Sequence, residues 1–331
     1  MATLTQVYPS LVEVAKRLDP NGGIASIAEH LSKINPFLED VPWIEGNLPT
    51  GHRITARTAL PSPTWRRLNA GVDPAMSSTV QVDETCGMLE AYSKVDVDLA
   101  NINGNAAAFR ASEDRAFVES FGQEVTRAFL YESAFTNPER IEGLAPRYNS
   151  TTVGQTASYT YKGTGTHSGS NCQSIWLLNW DPDRLFGIYP KGTVAGLNME
   201  DLGKVLVPDA NSKQFLAYVS RWQWKPGLCV RDFRYAVRLQ WDPDDATAGA
   251  SMADAGTGLL TLMQNSLSQV YQLTSNARFY MSRKSFRLLN NQLMGKQANF
   301  MEYVELGKRR VPAYLGVPIR VMDALVDETA I

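Results

Sequence analysis

Three observations on the sequence predict an α+β fold. Helical periodicity from about Asn105 to Glu132 runs longer than any other, strand-like stretches dominate residues 79–100 and 174–239, and a helix, a short strand and a second helix follow in 257–294. The 331 residues suffice for roughly two domains at ~150 residues each, and 44% hydrophobic with 20% charged residues is the composition of a chain with a packed core. A formal charge of −2 gives no strong field, which disfavours a protein that reads nucleic acid through phosphate contacts. No run approaches the ~18 uninterrupted apolar residues of a membrane span, and Met1–Ser10 lacks a basic segment followed by an apolar one, so synthesis in the cytosol without membrane insertion is expected.

The N-terminal segment carries two short amphipathic patterns, Leu11, Val14, Ala15, Leu18 and Ile24, Ile27, Ala28, Leu31, separated by a hinge at Gly22-Gly23. From Pro36 the texture changes. Residues 52–60 alternate, with Ile54, Ala56, Thr58 and Leu60 on one face and Arg53, Thr55, Arg57 and Ala59 on the other, which predicts a strand. Pro61-Ser62-Pro63 reads as a turn and Thr64–Leu68 as the returning strand, a two-stranded ribbon with several arginines and few large apolar residues. A lone ribbon is marginal in water, so it is expected to pack on a surface that the chain itself need not supply.

In the long helix Phe109, Phe117, Phe121, Val125 and Phe129 form one apolar stripe, and at 1.5 Å per residue the helix would span ~40 Å. Asn137-Pro138 lies past its end. Residues 149–173, rich in Ser, Thr and Gly, read as an exposed hairpin or loop. Strands are predicted at 174–180, 186–189, 215–224 and 228–239, the last two joined by a turn at Lys225-Pro226-Gly227. After an Asp/Ala/Gly linker at 242–256 come a helix with Leu259, Leu260, Met263, Leu267 and Val270, a strand at 277–281, and a helix N-capped by Ser282 with Phe286, Leu289 and Leu293 on its stripe. Residues 300–306 and 314–322 are strand-like, and no internal repeat is present.

No constellation for catalysis emerges. His30, His52 and His167 are isolated, with no HExxH and no cysteine at zinc spacing, so neither a metal nor a cofactor is expected. The glycines of 163–169 fit neither phosphate-binding pattern. Ser168 and Cys172 lie too near His167 in sequence to face it as a triad, and no GxSxG elbow occurs. Cys86, Cys172 and Cys229 lack CxxC spacing and read as small core residues of a protein in a reducing compartment. The pair Asp96 and Asp98 reads as a solvated strand face, Asp242, Asp244 and Asp245 as a turn, and Trp176, Trp180, Trp222 and Trp224 as sheet packing. A small hydrolase or sugar-binding enzyme using His167 or the tryptophans is the alternative from another class.

Arg53, Arg57, Arg66 and Arg67 stand apart, because they sit on a ribbon with little other reason to be ordered. They form either a solvated face or a docking arm whose cations meet carboxylates of a neighbouring subunit, with Glu113, Asp114 and Glu119 of the long helix as candidate partners. The docking reading describes an assembly protein.

The order of parts, an N-terminal arm, an extended ribbon, a strand segment, a spine-like helix, long strands and a terminal helix–strand–helix region, resembles the tailed-bacteriophage major capsid proteins of the Hong Kong 97-like fold. Particular stretches are similar to a short-tailed-phage branch of that family: Phe37–Trp43 leading to Gly46–His52, Gln81–Glu90, Gly187–Gly192, Arg221–Leu228 and Tyr314–Ile319. The resemblance implies an N-terminal arm at 1–45, an E-loop ribbon at 46–85, a P-domain at 86–245 holding the spine helix at about 105–134, and an A-domain with C-terminal strands at 246–331. It also implies a rearranged chain topology, since the long strands here precede the helices at 257–294, whereas in the type member the helix, strand and helix come first. The type member welds its shell through an E-loop lysine and a neighbour's asparagine. This chain has no lysine between Lys33 and Lys94, so that crosslink is expected to be absent.

The function implied is a shell subunit forming hexamers and pentamers of an icosahedral phage head around double-stranded DNA, contacted without sequence specificity. The partners implied are further copies of the chain, a separate scaffolding protein, a portal protein and a decoration or cementing protein. Assembly is expected in the host cytoplasm, and the product is the virion. An encapsulin-type compartment is the alternative on the same fold.

Overall fold

The computed structural model describes residues 33, 35–101, 106–163, 170–209, 211–242, 259–295, 301–306 and 309–331. The two amphipathic patterns before residue 33, His167 with its loop, and nearly all of the linker at 242–256 lie outside the described residues.

In chain order the elements are α1 (Phe37–Asp40), β1 (Trp43–Glu45), β2 (Gly51–Ala59), β3 (Ser78–Thr85), β4 (Leu89–Asp96), α2 (Val97–Asn101), α3 (Ala106–Tyr131), α4 (Leu144–Arg147), β5 (Thr160–Lys162), β6 (Gln173–Asn179), β7 (Leu185–Tyr189), β8 (Asn198–Pro208), β9 (Gln214–Trp224), β10 (Gly227–Val230), β11 (Ala236–Trp241), α5 (Leu259–Gln269), β12 (Ala277–Met281), α6 (Arg283–Gly295), β13 (Met301–Leu306), β14 (Arg309–Tyr314) and β15 (Val317–Val321). A seven-stranded sheet runs β13-β14-β15-β12-β6-β11-β5. Two three-stranded sheets, β1-β7-β10 and β4-β9-β8, and the ribbon β2-β3 complete the architecture.

The central strand β6 explains how the large sheet is held. Every residue of it is buried, and its side chains alternate between two cores. Trp176 and Leu178 join Phe129, Leu130 and Tyr148 on the side of helix α3, while Ile175 and Leu177 join Leu259, Met263 and Leu289 of α5 and α6 on the other. The sheet is therefore sandwiched between helices, and the C-terminal part of α3, through Val125, Phe129 and Leu130, supplies one face. Phe109, Phe121, Val125 and Phe129 of the α3 stripe are buried, whereas Phe117 is only half-buried. Just ahead of β1, Phe37 packs its ring 5.8 Å from Phe129, 5.2 Å from Trp180 and 5.3 Å from Tyr280, tying α1 to the first core.

Several expectations are refined by tertiary context. The predicted strand 228–239 is two strands, β10 and β11, separated by a 3₁₀ turn at Phe233–Tyr235 where the Asp232 carboxylate accepts from the Arg234 backbone N–H. Lys225-Pro226 does not close a hairpin, because β9 pairs with β4 and β8 while β10 pairs with β7 in another sheet. The 149–173 segment contributes β5, a parallel edge strand beside β11. Strand β8, for which no strand is predicted, is exposed at nearly every residue and carries a register shift between Asp201 and Gly203, so no apolar alternation marks it. Ser282 caps α6 as predicted, its Oγ accepting from the Ser285 N–H at 3.2 Å. The expected boundary at 245/246 falls inside the large sheet, since β6 and β11 lie before it and β12 and β15 after it.

Candidate assembly surface

The ribbon is where this chain departs most from a self-contained body. Strand β2 pairs antiparallel with β3, Gly51 opposite Thr85 and Arg53 opposite Asp83, with a bulge between Arg57 and Ala59. The predicted return strand at Thr64–Leu68 is instead part of an irregular tip spanning residues 60–77, where the backbone turns at Arg67–Ala70 with Asn69 in the left-handed region. Pro61 and Pro63 remove two backbone donors from the tip just before that segment, and β2 takes its partner from Ser78–Thr85 instead.

The foot of the ribbon is built tightly. A Cβ on Gly51 would lie 2.0 Å from the Glu84 carbonyl oxygen, and one on Gly46 would lie 2.3 Å from the Gly51 oxygen, so only glycine permits these backbones to meet. Ile54 packs with Phe186, Ile188 and Cys229. Glu84, 5% exposed, accepts two hydrogen bonds from Arg147 at 2.7 and 2.6 Å, and Arg147 also donates to the Glu142 carbonyl at 3.2 Å. His52 sits edge-on to Phe186 at 5.7 Å with its Nδ1 buried and unpartnered. Burial and the neighbouring Arg231 cation hold its pKa below the usual histidine range, against the opposing pull of Glu84.

Beyond the foot the ribbon is bare. Arg53 is bound within the ribbon itself, its Nε and Nη2 donating to Asp83 at 2.6 and 2.7 Å, and that contact lowers the Asp83 pKa. Arg57, Arg66 and Arg67 are exposed and make no side-chain hydrogen bond or ion pair among the described residues. With them Leu60, Trp65, Leu68 and Met76 stand in solvent, Trp65 fully exposed at 101%. Trp65 and Leu68, which sequence reasoning placed in a strand, are thus the largest apolar groups of the tip.

The carboxylates expected to receive these cations occupy different settings. Glu119 accepts from the Lys33 backbone N–H at 2.9 Å and from Gln123 Nε2 at 2.6 Å, and it lines a groove of about 740 Å³ with Glu90, Phe121 and Glu124. Asp114 is half-buried with Oδ1 unpartnered, and desolvation raises its pKa against the nearby Arg110 cation. Glu113 is half-buried on the same helix. A smaller cavity of about 240 Å³ adjoins the groove, sharing Leu89 and Glu124 with it and floored by Val125, Ala128, Ile141 and Pro226.

Nucleophilic chemistry finds no support in the thiols. Burial pushes Cys86 and Cys229 up to about 12, so both are un-ionised at neutral pH. No cluster of three or more His, Cys, Asp or Glu side chains suited to a metal exists among the described residues, and no helix among them is long and apolar enough to cross a membrane. Trp176 and Trp180 are fully buried core residues.

Comparison with solved structures gives the class. Over 100% of its length, and 99% of the other chain, this chain is similar to one in the structure of bacteriophage Epsilon15, with 32% sequence identity and a TM-score of 0.77. Weaker likenesses include the capsid of a native GTA particle, at 10% identity and a TM-score of 0.43 over 68% of this chain and 95% of that one, and the SrpI encapsulin of Synechococcus elongatus PCC 7942, at 11% identity and a TM-score of 0.43 over 70% and 95%. No curated protein matches. The fold is that of a phage capsid subunit of the Hong Kong 97-like kind. The model of the family described as Major capsid protein GP7 matches residues 19–331, and the chain belongs to that family. It is a structural protein, a major capsid protein of a phage that associates with copies of itself in the virion shell, and the compartment alternative is set aside.

Proposed function

We propose that copies of this chain form the hexamers and pentamers of an icosahedral head around double-stranded DNA, and that the ribbon is the arm by which each copy grips the next. The observation that carries this reading is the contrast along β2–β3. Its foot is locked by Ile54 and the Glu84–Arg147 pair, while Arg57 farther along β2 and Trp65, Leu68, Arg66 and Arg67 of the tip face solvent. A tip of that composition is stabilised only when another surface covers it. In this reading the tip arginines meet carboxylates along a neighbour's α3, with Glu119 at the groove and Glu113 and Asp114 farther toward the N-terminus, whereas Arg53 serves inside the ribbon.

The role is mechanical rather than catalytic, with no cofactor. The formal charge of −2 suits weak DNA contact without sequence preference. Without a lysine between Lys33 and Lys94, the shell gains its strength from buried area and interlocking arms rather than from a ribbon crosslink. In chain order this reading has an arm at 1–45, a ribbon at 46–85, a P-domain at 86–245 and an A-domain at 246–331, the last two sharing the seven-stranded sheet. Scaffolding and portal proteins are the partners this reading gives the head, a decoration or cementing protein is an optional further one, and assembly takes place in the host cytoplasm. Negative-stain electron microscopy of the full chain, alone and co-expressed with its neighbouring genes, tests the reading: closed shells or capsomer rings are expected, and a monodisperse small oligomer under both conditions overturns it.

A further inference from the structure

We infer that Trp65 is the anchor of a head-to-tail contact between copies, and that its socket is the cavity at the foot of the next copy's ribbon, walled by Met88, Val125, Ala128 and Ile141. This deepens the shell-building reading and rests on it.

The anchor side of the contact is visible in the tip. Tryptophan and arginine are the residue types most enriched among those that dominate interface energetics, and here Trp65 is followed directly by Arg66 and Arg67 with Leu68 95% exposed. Pro61 and Pro63 fix two backbone φ angles just ahead of it, which lowers the entropy lost when the tip is ordered on a partner.

The socket side is equally defined. At about 240 Å³ the cavity is smaller than the ~300–1,000 Å³ typical of small-molecule sites and is on the scale of one large side chain. Its floor is apolar, Val125, Ala128, Ile141 and Pro226, and its edge carries Glu139 and Glu124, the latter already 3.9 Å from Arg127, so that Glu139 is the carboxylate offered to cations adjoining a seated indole. The one cation on that edge, Arg140, is already engaged by Glu132 and lies 3.7 Å from Glu124.

Geometry excludes self-occupancy. Gly87 and Met88 of the cavity follow Thr85, which pairs with Gly51 at the foot of the ribbon, whereas Trp65 lies beyond Ala59 at the other end. Nine residues of β2 at ~3.3 Å each separate the two by about 30 Å. Anchor and socket are therefore at opposite ends of one arm. Such a contact joins different patches on the two copies, and when the rotation closes it generates a ring, the symmetry a capsomer needs.

The test uses two variants of the full chain that each add one cysteine to the native three, Thr64→Cys and Met88→Cys, co-assembled and oxidised, with the linked residues identified by peptide mass spectrometry and Thr64→Cys plus Val153→Cys as the control pair. A disulfide-linked dimer specific to the Thr64→Cys and Met88→Cys mixture is expected. Shells that form without that dimer overturn the anchor while leaving shell building intact, and failure of the unmodified chain to form shells overturns shell building itself. If the cysteine variants do not assemble, Trp65→Ala and Trp65→Phe decide. At unchanged urea midpoints, Ala is expected to lower assembly yield by at least about tenfold and Phe by less than about threefold, and equal yields from both and the unmodified chain overturn the anchor.

Discussion

Glu84 on the ribbon and Arg147 on α4 form a paired, nearly sealed contact, two hydrogen bonds at 2.7 and 2.6 Å with the carboxylate side chain only 6% exposed. It is the one buried ion pair that fastens the projecting ribbon to the body among the described residues. Removing a single partner strands the other charge out of water, which costs more than the pair contributes net. Glu84→Gln is expected to destabilise the folded chain by about 3 kcal/mol and to raise hydrogen exchange first in β2 and β3. Exchange that rises uniformly across the chain would assign the pair a global role instead.

The half-buried His52 makes the same foot sensitive to acid. Its folded pKa lies below the ordinary histidine value of 6.5, so the stability associated with its neutral form is fully present above about 6.5 and is lost as pH falls through the folded value. Denaturation midpoints measured between pH 7.5 and 5 should fall for the unmodified chain and fall less for His52→Gln. Glu90 offers an internal contrast. Hydrogen bonds from Arg221 and Tyr92 hold it at about 2, so its network on the β4–β9 face stays ionised throughout that window. A pH slope untouched by His52→Gln would show that another group controls it.

Cys86 and Cys229 should resist alkylation. With their thiols at about 12, iodoacetamide at pH 8 is expected to label neither in the native chain and both in urea, read by mass spectrometry. Rapid native labelling would mean that the ribbon foot opens far more often than its packing implies.

The α3 stripe separates into strong and weak positions. Phe129 is fully buried against Phe37 and Trp43, whereas Phe117 is half-buried, so Phe129→Ala should cost about 3–5 kcal/mol and Phe117→Ala about 1 kcal/mol in urea unfolding. Equal losses would show that the residue 117 face is covered in the state measured.

The ribbon arginines likewise divide. Arg66→Glu combined with Arg67→Glu is expected to leave the urea midpoint unchanged and to suppress shell formation, because neither residue has a partner within the described chain. Arg53→Glu places two carboxylates opposite each other on the ribbon and should loosen β2–β3 itself, seen as faster proteolysis between residues 51 and 85. Normal shells from the double variant would remove the arginines from the docking contact.

Periodic and local signals were legible without coordinates. The long helix appears at 106–131 against about 105–132 expected, β6, β7, β9 and β12 fall where alternation and apolar runs place them, and Ser282 caps its helix, because each depends on side chains near in sequence meeting a common face. The order of motifs likewise sufficed to identify the family resemblance. The tertiary structure alone decided which strands pair. It gave β3, not residues 64–68, to β2, sent β9 and β10 into different sheets, and formed the exposed strand β8, since hydrogen-bond partners along a backbone leave no periodic trace in composition. It also divided four similar arginines, because whether a guanidinium meets a carboxylate depends on cross-strand register: Arg53 faces Asp83, Arg57 faces Thr79, and Arg66 and Arg67 lie on the tip beyond the paired strands.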